Sequence, residues 1–271
     1  MTSHHLTMTS LLANRLRVLP AGSKILDAGG WFNPCMAATH VVDLMPYETR
    51  RGRLEPAPLA GELFTKATWC QAEFTRDDLR LPFPDGFFQF SICTQTIEDL
   101  ADPIPLLREL RRISQAGYIE SPSRLSEQTT GVRDRFTSLH GHPHHRWIVD
   151  ASPGLLELAP KAALDRLTKS SFTVPLLVYE REIEGDPGKT LSQLFWEREF
   201  SFRTLSTEEA LARAMAVCTS LHVSTMERWQ DALIRSLRRV KWSWLRRQRD
   251  DPSAWWQEML RLSRPHSTIP L

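Results

Sequence analysis

The first regular pattern in the chain is helical. "LLANRLRVL" carries apolar residues at three- and four-residue steps, with Ser10 placed to cap it and Pro20 to stop it. Four compact apolar runs follow: "KILDA", "THVVDL", "FFQFSICTQ" and "GYIES". Runs this short and this apolar suit strands covered on both faces, the habit of parallel sheets. Between the third and fourth runs, "DPIPLLRELRRIS" sets Ile104, Leu107, Leu110 and Ile113 at helical spacing. Strand, helix, strand in that order predicts a βαβ unit and an α/β fold class. The segment "ETRRGRLEPAPLAGELFTK" is Pro-rich and irregular.

Beyond residue 150 the pattern loosens. "HRWIV", "SFTVPLLVY" and "FWEREFSF" read as strands and "GDPGK" as a turn. From Ser206 the period is helical. "STEE" is a capping box that opens a helix bearing Leu211, Ala214, Val217 and Leu221. A second helix carries Met226, Trp229, Leu233, Leu237, Val240 and Trp244. A third is expected near Pro252 with Trp255, Trp256, Met259 and Leu260. The expected division is residues 1–205 as one domain and 206–271 as a helical C-terminal extension, covering an acceptor pocket or making a dimer contact.

Composition narrows the function classes. Lys and Arg total 34 against 32 Asp and Glu, a formal charge of +2, which argues against a nucleic-acid binder. Cys35, Cys70, Cys93 and Cys218 form no CxxC pair and read as reduced thiols. The N-terminus lacks a basic start leading into a long apolar run, and no apolar run is long enough to span a bilayer, so the expectation is a cytoplasmic protein. The second C-terminal helix, read over Thr225 to Arg249, also carries Arg228, Arg235, Arg238, Arg239, Lys241, Arg246, Arg247 and Arg249. An anionic partner is one reading; the preferred one is a solvated basic face on a helix whose apolar stripe packs on the core.

The runs end on residues of chemical interest. "KILDAGG" places Asp27 ahead of Gly29 and Gly30, and "THVVDLMP" ends its run on Asp43. Two glycines let backbone amides approach a ligand, and an acid after the next strand suits ribose hydroxyls. A dinucleotide site would need the G-x-G-x-x-G turn, which is absent. With "RDDLRLPFPDGFFQFSICTQTIEDLADPIPLLRELRRIS", "GYIESPS" and "GHPHHRWIV", these segments resemble the class I S-adenosylmethionine-dependent methyltransferases, in a bacterial methyltransferase type 11-like subgroup, over roughly residues 20–205. The resemblance implies a Rossmann-like, doubly wound, mostly parallel seven-stranded sheet. It implies S-adenosyl-L-methionine as cofactor, held by Asp27, Gly29, Gly30, Asp43, Leu44, Asp77, Asp78, Thr94 and Gln95. It implies methyl transfer to an oxygen or nitrogen of a small molecule or sugar, in biosynthesis. Three departures from the family pattern stand out: Trp31, Phe32 and Asn33 where further glycines are usual, Gln89 in place of an aspartate, and Asp99 in place of a histidine. A different use of the same cofactor and a non-catalytic binding protein stay open as alternatives.

The run "HGHPHHRW" holds His140, His142, His144 and His145. It reads as a polar loop bonded to backbone, as the source of a catalytic base, or as metal ligands. Pro143 breaks the helix that an i, i+4 zinc pair would need, and no metal ligand is assigned. The catalytic candidates are His145, Glu98 and His142, with Glu120 behind them. The expected partners are the small-molecule acceptor and a second copy of the chain through the C-terminal helices.

Overall fold

The computed structural model describes residues 10–132, 140–165 and 172–245. The helix expected near Pro252, with its tryptophans, lies outside them. The elements run α1 (Ser10–Arg17), β1 (Ile25–Ala28), β2 (His40–Asp43), β3 (Trp69–Gln71), β4 (Phe90–Thr94), α2 (Ile104–Ile113), β5 (Ala116–Pro122) and α3 (Arg124–Gln128). They continue with β6 (Trp147–Ser152), β7 (Leu155–Pro160), α4 (Ala162–Asp165), α5 (Leu176–Gly185), β8 (Leu191–Glu197), β9 (Ser201–Thr204), α6 (Thr207–Ser220) and α7 (Thr225–Leu245).

The central sheet has strand order β3-β2-β1-β4-β5-β8, parallel except for the antiparallel edge strand β8. Strand alternation divides its side chains between two layers. Leu26, Ala28, Val42, Cys93 and Ile119 pack against Leu106, Leu107, Leu110 and Ile113 of α2. Ile25, Phe90, Ile92 and Tyr118 point the other way, onto Leu12 and Leu16 of α1. Both faces are therefore covered, as the unbroken apolar runs predict.

The central sheet has six strands among the described residues rather than the seven expected. β5 pairs with β8 along its length, from Ala116 opposite Glu197 to Pro122 opposite Leu191. Arg198, at φ 65°, then turns the chain away. "FWEREFSF" is thus split between two sheets: β9 runs parallel to β7, which pairs antiparallel with β6. This second sheet sends Val149, Leu156 and Leu158 into the same core as α2. "SFTVPLLVY" is another difference. Pro175 has no N–H for a ladder and caps α5 instead, so the apolar residues after it are helical.

The capping box at Ser206 is present, its hydroxyl accepting from Glu209 N–H while Glu209 accepts from Ser206 N–H. Ala210 and Ala214 of α6 are fully buried against Ile148, Ala159 and Leu205. α7 reverses the sequence expectation. Asp231 is buried, while Met226, Trp229, Leu233 and Leu237 are exposed, Trp229 at 72%. At its N-terminus Glu227 accepts from Ser224 N–H and from Arg181 of α5. No described helix is long and apolar enough to cross a membrane.

Candidate functional site

β1 and β4 are neighbours whose connections leave in opposite directions across the sheet, toward β2 and β5. Such a switch point opens a crevice beyond the carboxyl ends of the strands. A cavity of about 360 Å³ lies there, lined on the α1 side by Leu12, Asp27, Ile92, Thr94 and Glu120. The register explains the grouping. Asp27 stands opposite Ile92, and Thr94 stands opposite Glu120, all on one face. The segment after β1, from Gly29 to Ala37, forms the remaining wall together with Gln95.

Two glycines shape that wall for different reasons. Gly29 sits at φ +85°, and a Cβ there would lie 2.1 Å from Thr96 Oγ1. Gly30 has an ordinary φ, but its Cβ would lie 2.5 Å from Asp27 Oδ2. The same carboxylate oxygen accepts the Cys35 N–H at 2.7 Å, which folds the segment back over the cavity. Burial raises the Asp27 carboxyl to about 7, the Cys35 bond opposes this, and the nearby Asp43 adds to it. Burial and Asp27 push the Cys35 thiol up to about 11, so it faces the cavity as a neutral thiol.

On the far wall, Glu120 is held by three neighbours. Tyr118 donates its hydroxyl to Oε2, Gln193 donates to the same oxygen at 3.1 Å, and Gln95 donates to Oε1 at 3.4 Å. Gln95 itself has φ 52°, which carries the chain sharply out of β4.

The structure brings Asp27, Gly29, Gly30, Thr94 and Gln95 together around the cavity. Asp43 lies behind the glycine turn rather than in the lining. Its Oδ2 accepts Trp31 N–H at 3.0 Å and its Oδ1 accepts Met45 N–H at 2.8 Å. Burial raises it to about 6 against these bonds. Leu44 is exposed and lends its carbonyl to Gln71. Asp77 and Asp78 are both exposed outside the cavity, Asp78 held in a two-pronged pair by Arg76. Of the nine expected cofactor contacts, these four are therefore not among the lining residues.

The catalytic candidates occupy a separate cluster. Glu98 is buried and accepts from Ser121 Oγ at 2.9 Å, while Oε1 has no partner among the described residues. Burial raises it to about 8, so it stands as a neutral carboxyl at pH 7. His142 and His145 direct their Nδ1 atoms at Glu127 Oε1, at 2.9 and 2.8 Å. Lys161, also buried, donates to Glu127 Oε2 and to the His142 carbonyl. Burial pushes Glu127 up, but the two histidines and Lys161 outweigh it and hold the carboxyl well below its usual range. Glu127 and Lys161 were not found from sequence. The one available signal was a lone lysine inside the otherwise apolar "LAPKAAL".

No protein-family model matches the chain, and no curated protein matches it. Solved structures do. One is a SAM-dependent methyltransferase from Aquifex aeolicus, 15% identical over 42% of this chain, with a TM-score of 0.29. The solved structures this chain resembles include several methyltransferases. Another, from Mesorhizobium loti, is 16% identical over 76% of this chain and 78% of its own, with a TM-score of 0.32. A third, from Thermotoga maritima, is 17% identical over 43% of this chain, with a TM-score of 0.30. The chain spans 63% of the Aquifex protein and 51% of the Thermotoga protein. Likeness at this level leaves the functional reading to the cavity itself.

Proposed function

We propose that this protein is an S-adenosylmethionine-dependent methyltransferase acting on an oxygen or nitrogen of a small-molecule acceptor. The observation that carries the reading is the cavity at the β1/β4 switch point, lined by Asp27, Gly29, Gly30, Thr94 and Gln95. Its volume falls within the few hundred to about 1,000 Å³ common for small-molecule sites. Its chemistry suits a cationic nucleoside. Asp27 and Glu120 supply negative charge toward an ammonium and a sulfonium, while Leu12, Ile92 and Ala37 offer an apolar wall. Gly29 and Gly30 keep Cβ atoms off the backbone at the β1 end.

When bound, the cofactor supplies a methyl group already activated as an electrophile. The task left to this chain is to hold, orient and exclude water. Asp27 is buried on the sheet face and fixes one end of the cavity. Glu120, braced by Tyr118, Gln95 and Gln193, is the carboxylate placed to accept a proton from the acceptor. Glu98 and His145 take no proton-transfer role in this reading, since neither lines the cavity.

The pH dependence of cofactor binding tests the reading. Asp27 is largely protonated below about pH 7, so a cation bound beside it must expel that proton. Calorimetric titration of S-adenosylmethionine is expected to show affinity about 10- to 30-fold weaker at pH 5.5 than at pH 7.5. Asp27→Asn removes the larger of the two titrations in this range, leaving that of Asp43, so binding to that variant varies less with pH. Absence of binding by the wild-type protein, or a pH profile unchanged in Asp27→Asn, would overturn the proposal.

A further inference from the structure

The histidine loop carries a feature that methyl transfer does not use. In "HGHPHH", His145 N–H donates to the His142 carbonyl at 3.1 Å, closing a tight turn with Pro143 at its second position. That turn swings two consecutive histidines toward the same side. The backbone then clamps a carboxylate beside them: Glu98 O accepts N–H bonds from Arg146 at 2.7 Å and from Trp147 at 3.1 Å. Trp147 Nε1 donates to Leu100 O, on the other side of Asp99. Asp99 is thereby fixed opposite the turn, its Oδ1 3.8 Å from His145 Nε2 and 3.9 Å from His144 Nε2.

We propose that Asp99, His144 and His145 form a divalent-metal site, with zinc or another borderline ion as the ligand. Three observations support it. First, the three donor atoms lie within 4.8 Å of one another. Tetrahedral zinc with bonds of about 2.1 Å needs its ligands about 3.4 Å apart, so Asp99 Oδ1 has to close by roughly half an ångström on each imidazole. Asp99 and His144 have side chains 43% and 50% exposed, which leaves them room for that movement. Second, the anchoring ligand is already oriented. His145 Nδ1 lies 2.8 Å from Oε1 of the buried Glu127, and its Nε2 faces Asp99. A carboxylate behind a metal-binding histidine fixes its tautomer and raises its basicity. Third, two imidazoles and a carboxylate are the donor set such ions take, and the exposed side of the cluster leaves positions for water or an acceptor oxygen.

The other grouping, Glu127 with His142 and His145, is not the site. There Lys161 already holds one oxygen of Glu127, and both imidazoles aim Nδ1 at the other. Both oxygens of Glu127 are thus already engaged by protein groups, and the cluster serves as the support behind the ligands.

The test uses the full chain without a polyhistidine tag. Zn²⁺ alone is titrated calorimetrically, and Co²⁺ is titrated by its visible absorbance. The wild-type protein is expected to take one equivalent of either ion. Asp99→Ala and His144→Ala, both at exposed positions, are expected to lose at least tenfold in affinity while keeping the metal-free melting temperature. His222→Ala, on the turn between α6 and α7, is expected to bind as wild type. Failure of the wild-type protein to bind one equivalent, or wild-type affinity in both ligand variants, would overturn the assignment. These readouts need no cofactor, so they stand or fall separately from methyl transfer.

Discussion

The most consequential residue outside the cavity is Glu127. It is buried, and four hydrogen bonds from His142, His145 and Lys161 converge on its two oxygens. Lys161, equally buried, has no other carboxylate among its ion pairs at described residues. Glu127→Gln would leave that ammonium without a counter-charge, so a loss of about 3–5 kcal/mol is expected, read as a fall in the denaturation midpoint. A variant as stable as wild type would show that the ammonium escapes to solvent. At this scale the sequence was only partly legible. Asp27, Gly29 and Gly30 stood out because a strand end followed by small residues marks a ligand turn. Glu127 and Lys161 did not, because a partner at a separation of 34 residues leaves no local pattern. Asp43 was legible as a strand-end acid, but its partners, the amides of Trp31 and Met45, depend on how the turn folds back.

At the scale of elements, periodicity predicted best where a segment contacts one kind of environment. α2 was read from four apolar positions, and all four are buried in the main core or packed against it. β1, β2, β4 and β5 were read from unbroken apolar runs, which double-sided burial requires. α5 was read as a strand because its short apolar run carries no period that separates the two states. The exposed stripe on α7 escaped for another reason: pattern reports which residues are apolar, not which side of the helix faces the body. The turn after β1 is the element most sensitive to change. Gly29→Ala combines a left-handed φ with a Cβ driven into Thr96, so a loss of about 1–3 kcal/mol is expected, together with weakened ligand binding. Thermal melting checks the first effect and titration the second. Retention of both would mean that Thr96 yields without cost.

For the whole molecule, strand order is the property that gives the individual residues meaning. Side chains from β1, β4 and β5 share a face because the register sets Asp27, Ile92, Thr94 and Glu120 in adjoining positions. The reversal of strand order between β1 and β4 then leaves a crevice beyond them, walled by α1 and the segment from Gly29 to Ala37. Sequence patterns indicated a parallel sheet but not its order, which follows from long-range pairing, and they gave no sign that β6, β7 and β9 would leave to form a second sheet. The central claim is that this crevice receives the cofactor. Ala37 lines it without belonging to the buried core, so Ala37→Trp fills the space while sparing the sheet. Calorimetric titration of S-adenosylmethionine against the wild-type protein and Ala37→Trp is the most direct measurement. The account predicts saturable binding to the former and a loss of at least tenfold in the latter at unchanged melting temperature. Equal affinity in the two proteins would contradict it.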